Sequence, residues 1–203
     1  MIKTIVVIAV IGFFIILGLM IFFSFQGPNL QALKQKYDYL KEPQIKTMPV
    51  QKMLQLEVKG DPNKTAGKAF TQLFNTYYKL KKKVKDLPVV ASRVRWLQSA
   101  NTAKNEWTGV FGIPIPDSVE ALPEGSGDVK IAIWEYGAVA EIVHTGAYDQ
   151  ENPTIDKLTE FLKGRGYQIT GPHEEEYLKG PGMLFKGNPK DYYTIIRYQV
   201  KKK

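Results

Sequence analysis

Leu54-Gln55-Leu56-Glu57-Val58-Lys59-Gly60-Asp61-Pro62 is the stretch whose reading decides the fold. Apolar residues alternate with polar ones as far as Gly60, the period of a strand with one buried face. Asp61-Pro62 then offers a helix cap followed by a proline at the first helical position, where the missing N–H costs nothing. Ala66, Ala69, Phe70, Leu73, Phe74 and Tyr77 recur at spacings of three and four, which predicts an amphipathic helix running into Lys81-Lys82-Lys83. Two strand-like segments follow, near Arg93–Ser99 and Glu106–Ile115, with a polar turn from Asn101 to Asn105 between them.

The same plan returns further along. A strand pattern covers Val129 to Tyr136 and continues past Gly137, through Ala140, Ile142 and His144, to Gly146. Asn152-Pro153 again reads as cap plus first-turn proline. Ile155, Leu158, Phe161 and Leu162 form the apolar helix face, and Gly164-Arg165-Gly166 stops it. Strands are expected near Tyr167–Leu178 and Tyr192–Val200, joined by a Gly/Pro-rich loop. The chain therefore predicts a β-α-β-β unit twice, at about 48–116 and 129–200, with Ser118 to Asp128 as connector. Three strands and one helix bury a single face, so two copies close a core together. The expected class is α+β, with two antiparallel sheets and their helices around a central cleft.

Outside this repeat lies a different kind of sequence. Thr4 to Phe25 contains no charged residue and, at about 1.5 Å per residue, is long enough as a helix to match a bilayer core. A cleaved signal peptide would carry a shorter apolar core and a small-residue cleavage site, whereas this run ends in Phe22-Phe23-Ser24-Phe25. Residues 1–28 are accordingly expected to be a single-pass transmembrane anchor placing the protein at the cell membrane, with the lipid bilayer as partner. Lys34, Lys36 and Lys41 beyond the span lean towards a cytoplasmic soluble domain. The habit of short N-terminal anchors leans the other way, and the side stays open. Residues 29–47 read as a juxtamembrane linker with helical spacing at Leu30, Leu33, Tyr37 and Leu40, broken by Pro43 and Pro49.

Composition closes several classes. With 203 residues, a net charge of +8, 44% hydrophobic residues and no cysteine, the chain is neither disordered nor a disulfide scaffold, and it has no thiolate nucleophile or thiolate metal site. Two histidines leave no His-rich metal centre, and no metal is expected. Nucleotide-binding and hydrolase fingerprints such as G-x-G-x-x-G, G-x-x-x-x-G-K-[ST] and G-x-S-x-G are missing, and no cofactor is expected. The basic run Lys79 to Lys85 ends a helix, where it complements the dipole or an anionic lipid surface; nucleic acid is not expected as a partner.

Three motifs carry a resemblance. Val143-His144-Thr145-Gly146-Ala147-Tyr148 is similar to the H-x-G-x-Y signature of GyrI-like small-molecule-binding domains. Those domains are also the effector-binding domains of AraC-type and MerR-type multidrug regulators. Gly171-Pro172-His173-Glu174-Glu175-Glu176-Tyr177-Leu178 resembles the family's G-P-x-x-E-x-Y-L strand, and Thr194 to Val200 its closing T-E-I-x-x-P-V strand. Ile195 and Gln199 depart from the closing pattern. The resemblance spans residues 48–203. It implies a tandem SHS2-type repeat and a cleft for a hydrophobic, cationic small molecule; no helix-turn-helix precedes the domain here, so the regulator role is not implied.

On a strand His173, Glu175 and Tyr177 share one face while Glu174 and Glu176 take the other. By the resemblance, Glu175 sits in an aromatic pocket and supplies the charge, with Tyr148 and Tyr177 enclosing the ligand. Trp96, Trp107 and Phe111 from the first half, and Tyr198 from the last strand, are the further candidates for the walls. Three consecutive glutamates would otherwise suggest a solvated strand, and His144 a hydrogen-bonded core histidine. Some GyrI-like proteins are hydrolases, for which Glu175 would be the general base and Tyr177 an orienting or proton-donating group. The family also includes an inhibitor of DNA gyrase, so a protein-interaction role is the third expectation.

Overall fold

The computed structural model describes residues 28–85, 87–98, 102–181 and 187–203. The expected span Thr4 to Phe25 lies outside the described residues. Among the described residues no helix is long and apolar enough to cross a membrane.

The elements are α1 (Leu30–Lys36), β1 (Gln44–Met48), β2 (Gln51–Lys59), α2 (Pro62–Lys83), β3 (Ser92–Trp96), β4 (Thr108–Pro114), β5 (Lys130–Trp134), β6 (Gly137–Thr145), α3 (Asn152–Gly164), β7 (Tyr167–Ile169), β8 (His173–Lys179) and β9 (Tyr193–Lys202). The two β-α-β-β units are present. Asp61 accepts the Asn63 N–H as the cap of α2, and Pro62 opens that helix.

The expectation of two sheets needs correction. All strands belong to one antiparallel sheet in the order β1-β6-β9-β8-β3-β4-β2-β5, with β7 alongside the far end of β9. The halves meet where β3 pairs with β8, Ser92 opposite Tyr177 and Trp96 opposite His173. Each half gives its leading strand to the other: β1 pairs with β6, and β5 with β2. Only Pro49-Val50 joins β1 to β2, and only Glu135-Tyr136 joins β5 to β6. Two residues span about 7 Å, so strands at opposite ends of the order must come together and the sheet is curled. The residues expected to form a linker thus end in a strand. Gln44–Met48 gives no strand signal of its own, because Pro43 and Pro49 bracket it and its five residues do not alternate between polar and apolar.

Two environments result. On the outer face α2 covers β2 and β4, burying Leu54, Leu56, Leu73, Phe111 and Ile113. Helix α3 covers β6, burying Ala140, Ile142, Leu158 and Ile196. The inner face holds a buried ion network. Arg197 of β9 donates through Nε to Glu141 of β6 (3.0 Å), and to Glu174 (2.6 Å) and Glu176 (2.9 Å) of β8. From β3, Arg95 pairs with Glu174 at 2.8 Å and Arg93 with Glu176 at 3.0 Å, while Lys46 of β1 meets Glu141. Burial opposes the charge on Glu176, but Arg93 and Arg197 outweigh it and its pKa is lowered. The solvated-strand expectation therefore fails for Glu174 and Glu176: Glu174 is buried and Glu176 nearly so.

Removing one partner of such a network strands the others without water. Arg197→Met should destabilise the fold by about 3–5 kcal/mol, and Arg197→Lys, which cannot fork to three carboxylates, should recover only part of it. Urea denaturation of the two variants checks this.

Candidate functional site

Between α2 and α3 the β3–β8 seam forms the floor of a cleft, which continues into an open depression of about 2140 Å³ in all. Residue parity sets what it displays. Arg93 and Arg95 point to the inner face, so Trp96 points outward; Glu174 and Glu176 point inward, so His173, Glu175 and Tyr177 point outward.

Glu175 lies at the centre. Its Oε1 accepts from the Trp96 indole N–H at 3.0 Å and lies 3.0 Å from His173 Nε2, while Oε2 accepts a short hydrogen bond from the Tyr177 hydroxyl. His173 Nδ1 sits 2.8 Å from the Tyr198 hydroxyl. A tyrosine donating there leaves Nε2–H to face Glu175. Trp107 packs on Trp96 with ring centroids 5.4 Å apart, and Tyr148 meets the Tyr177 ring edge-on at 5.4 Å. Gly109 allows the indole to lie this close: a Cβ there would come within 2.8 Å of the Trp96 ring and 2.7 Å of Phe111.

Of the residues expected from sequence, Glu175, Tyr177, Tyr148, Trp96, Trp107 and Tyr198 are gathered at the cleft. Phe111 is not. It is 1% exposed and supports Trp96 from beneath, at 5.9 Å, as part of the core. His144 is buried, with Nδ1 2.9 Å from the Thr154 hydroxyl and Nε2 3.2 Å from the Ala147 carbonyl, and burial lowers its pKa.

Four further residues line the cleft that the sequence pattern did not assign to it. Phe70 of α2 reaches Tyr177 edge-on at 5.7 Å, and Tyr192 flanks Tyr148 at 5.1 Å. His173 was placed on the right face but given no role. Glu151 is the most consequential. It occupies the N-cap position of α3, which moves Asn152 from the expected cap to the first helical residue. Its side chain makes no capping bond and turns into the cleft instead, Oε2 3.9 Å from His173 Nε2. Oε1 has no hydrogen-bond partner among the described residues.

Burial first, and then the nearby charge of Glu175, push the Glu151 carboxyl up to about 9. The helix N-terminus favours a negative charge there by only about 0.3–1 kcal/mol, too little to reverse that. Burial and Glu175 likewise raise the Tyr148 and Tyr177 hydroxyls, and Tyr198 reaches about 12. At neutral pH these groups keep their protons, and they surround Glu175. Ligand atoms of Glu151, His173 and Glu175 lie within 4.8 Å of one another, a grouping suited to a divalent ion; hydrogen bonds already engage both His173 nitrogens and both Glu175 oxygens.

Known proteins share this fold. The family described as GyrI-like small molecule binding domain matches residues 41–201, and the chain belongs to it. No match is found among the curated proteins. Among solved structures the chain is similar to an uncharacterized conserved protein from Listeria innocua, with TM-score 0.69 and 22% identity over 83% of this chain and 98% of that one. A hydrolase from Listeria innocua superposes with TM-score 0.68 at 21% identity, over 83% and 98% of the two chains. The C-terminal domain of EcmrR gives TM-score 0.58 at 14% identity, over 80% and 98%. These likenesses establish a shared fold.

The raised carboxyl has a thermodynamic signature. Unfolded Glu151 ionises near its ordinary value of 4.5, whereas the folded group keeps its proton to about 9. Between those values the folded state holds the extra proton, so stability falls as pH rises. Glu151→Gln, which mimics the protonated acid, should therefore be more stable than the parent, by a margin that grows from pH 5 to pH 9. Thermal melts across that range measure it.

Proposed function

We propose that this protein is a membrane-anchored binding module that takes a hydrophobic, positively charged small molecule into the cleft between its two halves. The observation that carries the reading is Glu175: a buried carboxylate whose partners Trp96, Tyr177 and His173 are hydrogen-bond donors, set among aromatic rings. A cation stacked on those rings gains quadrupole attraction of about 0.5–2 kcal/mol and meets a fixed negative charge in a site shielded from water. Membership of the small-molecule-binding family supports the class of ligand. The uncharged run Thr4 to Phe25 supports the anchor.

Hydrolysis is a second reading, favoured by one observation. Glu151 keeps its proton beside Glu175, giving an acid and a base on one cavity. Glu175 would take a proton from an attacking water while Glu151 gives its own to the leaving atom. Incubation with strained-ring electrophiles, with Glu175→Gln and Glu151→Gln as separate controls, tests it: product should form with the parent and with neither variant.

For the binding reading, titration of an aryl phosphonium or quaternary ammonium against its uncharged isostere is decisive. Glu175→Gln should weaken the cation about 10- to 100-fold, the equivalent of about 1.4–2.8 kcal/mol, and leave the isostere within about twofold. Equal losses for both ligands would remove Glu175 from charge recognition. Full-length protein should remain with membranes after high-salt and alkaline washing, because apolar burial is not screened by salt. Release by the wash would sink the anchor.

A further inference from the structure

The cleft has two ends, and they differ. Because Ser92 pairs with Tyr177 and Trp96 with His173, the start of β3 and the end of β8 lie together. Helix α2 begins at the opposite end, where the Gly60 N–H bonds to the Trp107 carbonyl, and so finishes beside Ser92. The Tyr148 turn and the start of α3 lie there too: a Cβ on Gly180 would come within 2.6 Å of the Tyr148 hydroxyl.

Three independent features occupy this end. The first is exposed apolar surface at the rim, with Val89 75% exposed, Tyr78 44% and Tyr148 36%. The second is positive charge, from Lys81, Lys82 and Lys83 in the last turn of α2, Lys179 at the end of β8 and exposed Lys190 nearby. Asp149 and Asp191 at the same end leave the lysines in excess. The third is the course of the chain: the Pro28 carbonyl accepts from Lys179 Nζ at 3.0 Å, and Pro28 lines the same depression as Tyr148. Only Gln26-Gly27 separates Pro28 from the end of the uncharged run in the sequence.

We infer that this end of the molecule rests on an anionic lipid surface, with the mouth of the cleft opening onto the membrane interface. The inference builds on the reading of Thr4 to Phe25 as a span. Tyrosines are suited to the interface by an apolar ring and a polar tip, and each lysine near anionic headgroups contributes about 1 kcal/mol. The arrangement also accounts for Lys81, Lys82 and Lys83, which the ligand site does not use. A ligand dissolved in the bilayer meets the mouth of the cleft directly.

The chain has no cysteine, so single labels can be placed without background. Full-length protein would carry a spin label at Val89→Cys, Tyr78→Cys, Leu97→Cys or Lys163→Cys, in vesicles containing phosphatidylglycerol. Leu97 is equally apolar and 51% exposed but lies at the far end, and Lys163 is an exposed control at the end of α3. Relaxation by a lipid-soluble quencher should be several-fold greater at 78 and 89 than at 97 and 163. The contrast should shrink in pure phosphatidylcholine or on replacing Lys81, Lys82 and Lys83 with Gln. Water-like accessibility at all four labels, in protein that survives alkaline washing, would overturn the docking while leaving the span intact. Release by the wash would overturn the span and this orientation with it. Labels at 78 and 89 shielded from lipid-soluble and water-soluble quenchers alike would point to a protein partner and overturn the lipid assignment.

Discussion

The Arg197 guanidinium is the contact on which the rest of the architecture depends. It stands on β9 between β6 and β8 and forks to a carboxylate on each neighbour. Arg93 and Arg95 extend the same network across the β3–β8 seam, the join between the two halves of the sheet. Tyr136 adds a further tie: its hydroxyl accepts from Arg93 at 2.8 Å and donates to Glu174 at 3.1 Å, from within the two-residue link between β5 and β6. A hydrophobic seam would be as strong, since desolvating charges offsets most of their attraction. The ionic seam adds register. Sliding β8 by one residue would put Glu175 among the arginines and Glu174 and Glu176 among the aromatics.

That register makes the cleft. Glu174, Glu175 and Glu176 are chemically alike, and only the period of the strand decides that two are structural and one faces the ligand space. Glu151 follows a similar logic on a helix. The N-cap position holds its backbone in place, since the Thr154 and Ile155 N–H groups bond to its carbonyl. Its side chain is thereby free of capping and directed to His173. Buried without a cationic partner, it answers desolvation by keeping its proton.

Much of this was legible in the sequence because it is local. Alternation at Leu54–Val58, the Asp61-Pro62 start and the three-and-four spacing of α2 depend on neighbours only, and the β-α-β-β plan follows from them. The motif around Glu175 pointed to a residue that the fold does place at the cleft centre. What failed was long-range. Nothing near Glu174 or Glu176 announces that Arg93, Arg95 and Arg197 will meet them, so a glutamate run read as a wet surface. One sheet could not be told from two, because the exchange of β1 and β5 between halves is set by tertiary pairing. Phe111 had the right strand and the right face, yet Trp96 covers it. Glu151 was hidden by Asn152-Pro153, whose cap-like chemistry drew the helix start one residue too late.

The two faces of β8 also differ in how their carboxylates are met. On the inner face, every carboxylate of the network has an arginine or lysine partner, four cations meeting three carboxylates. On the outer face, the partners of Glu175 among the described residues are the His173 ring, an indole and a phenol. Neutral donors orient a carboxylate and satisfy its lone pairs without cancelling its charge. Glu151 adds none at neutral pH, since it remains protonated. Glu175 is therefore held in place facing a cleft lined by aromatic rings, the arrangement on which the proposed recognition of a cation rests.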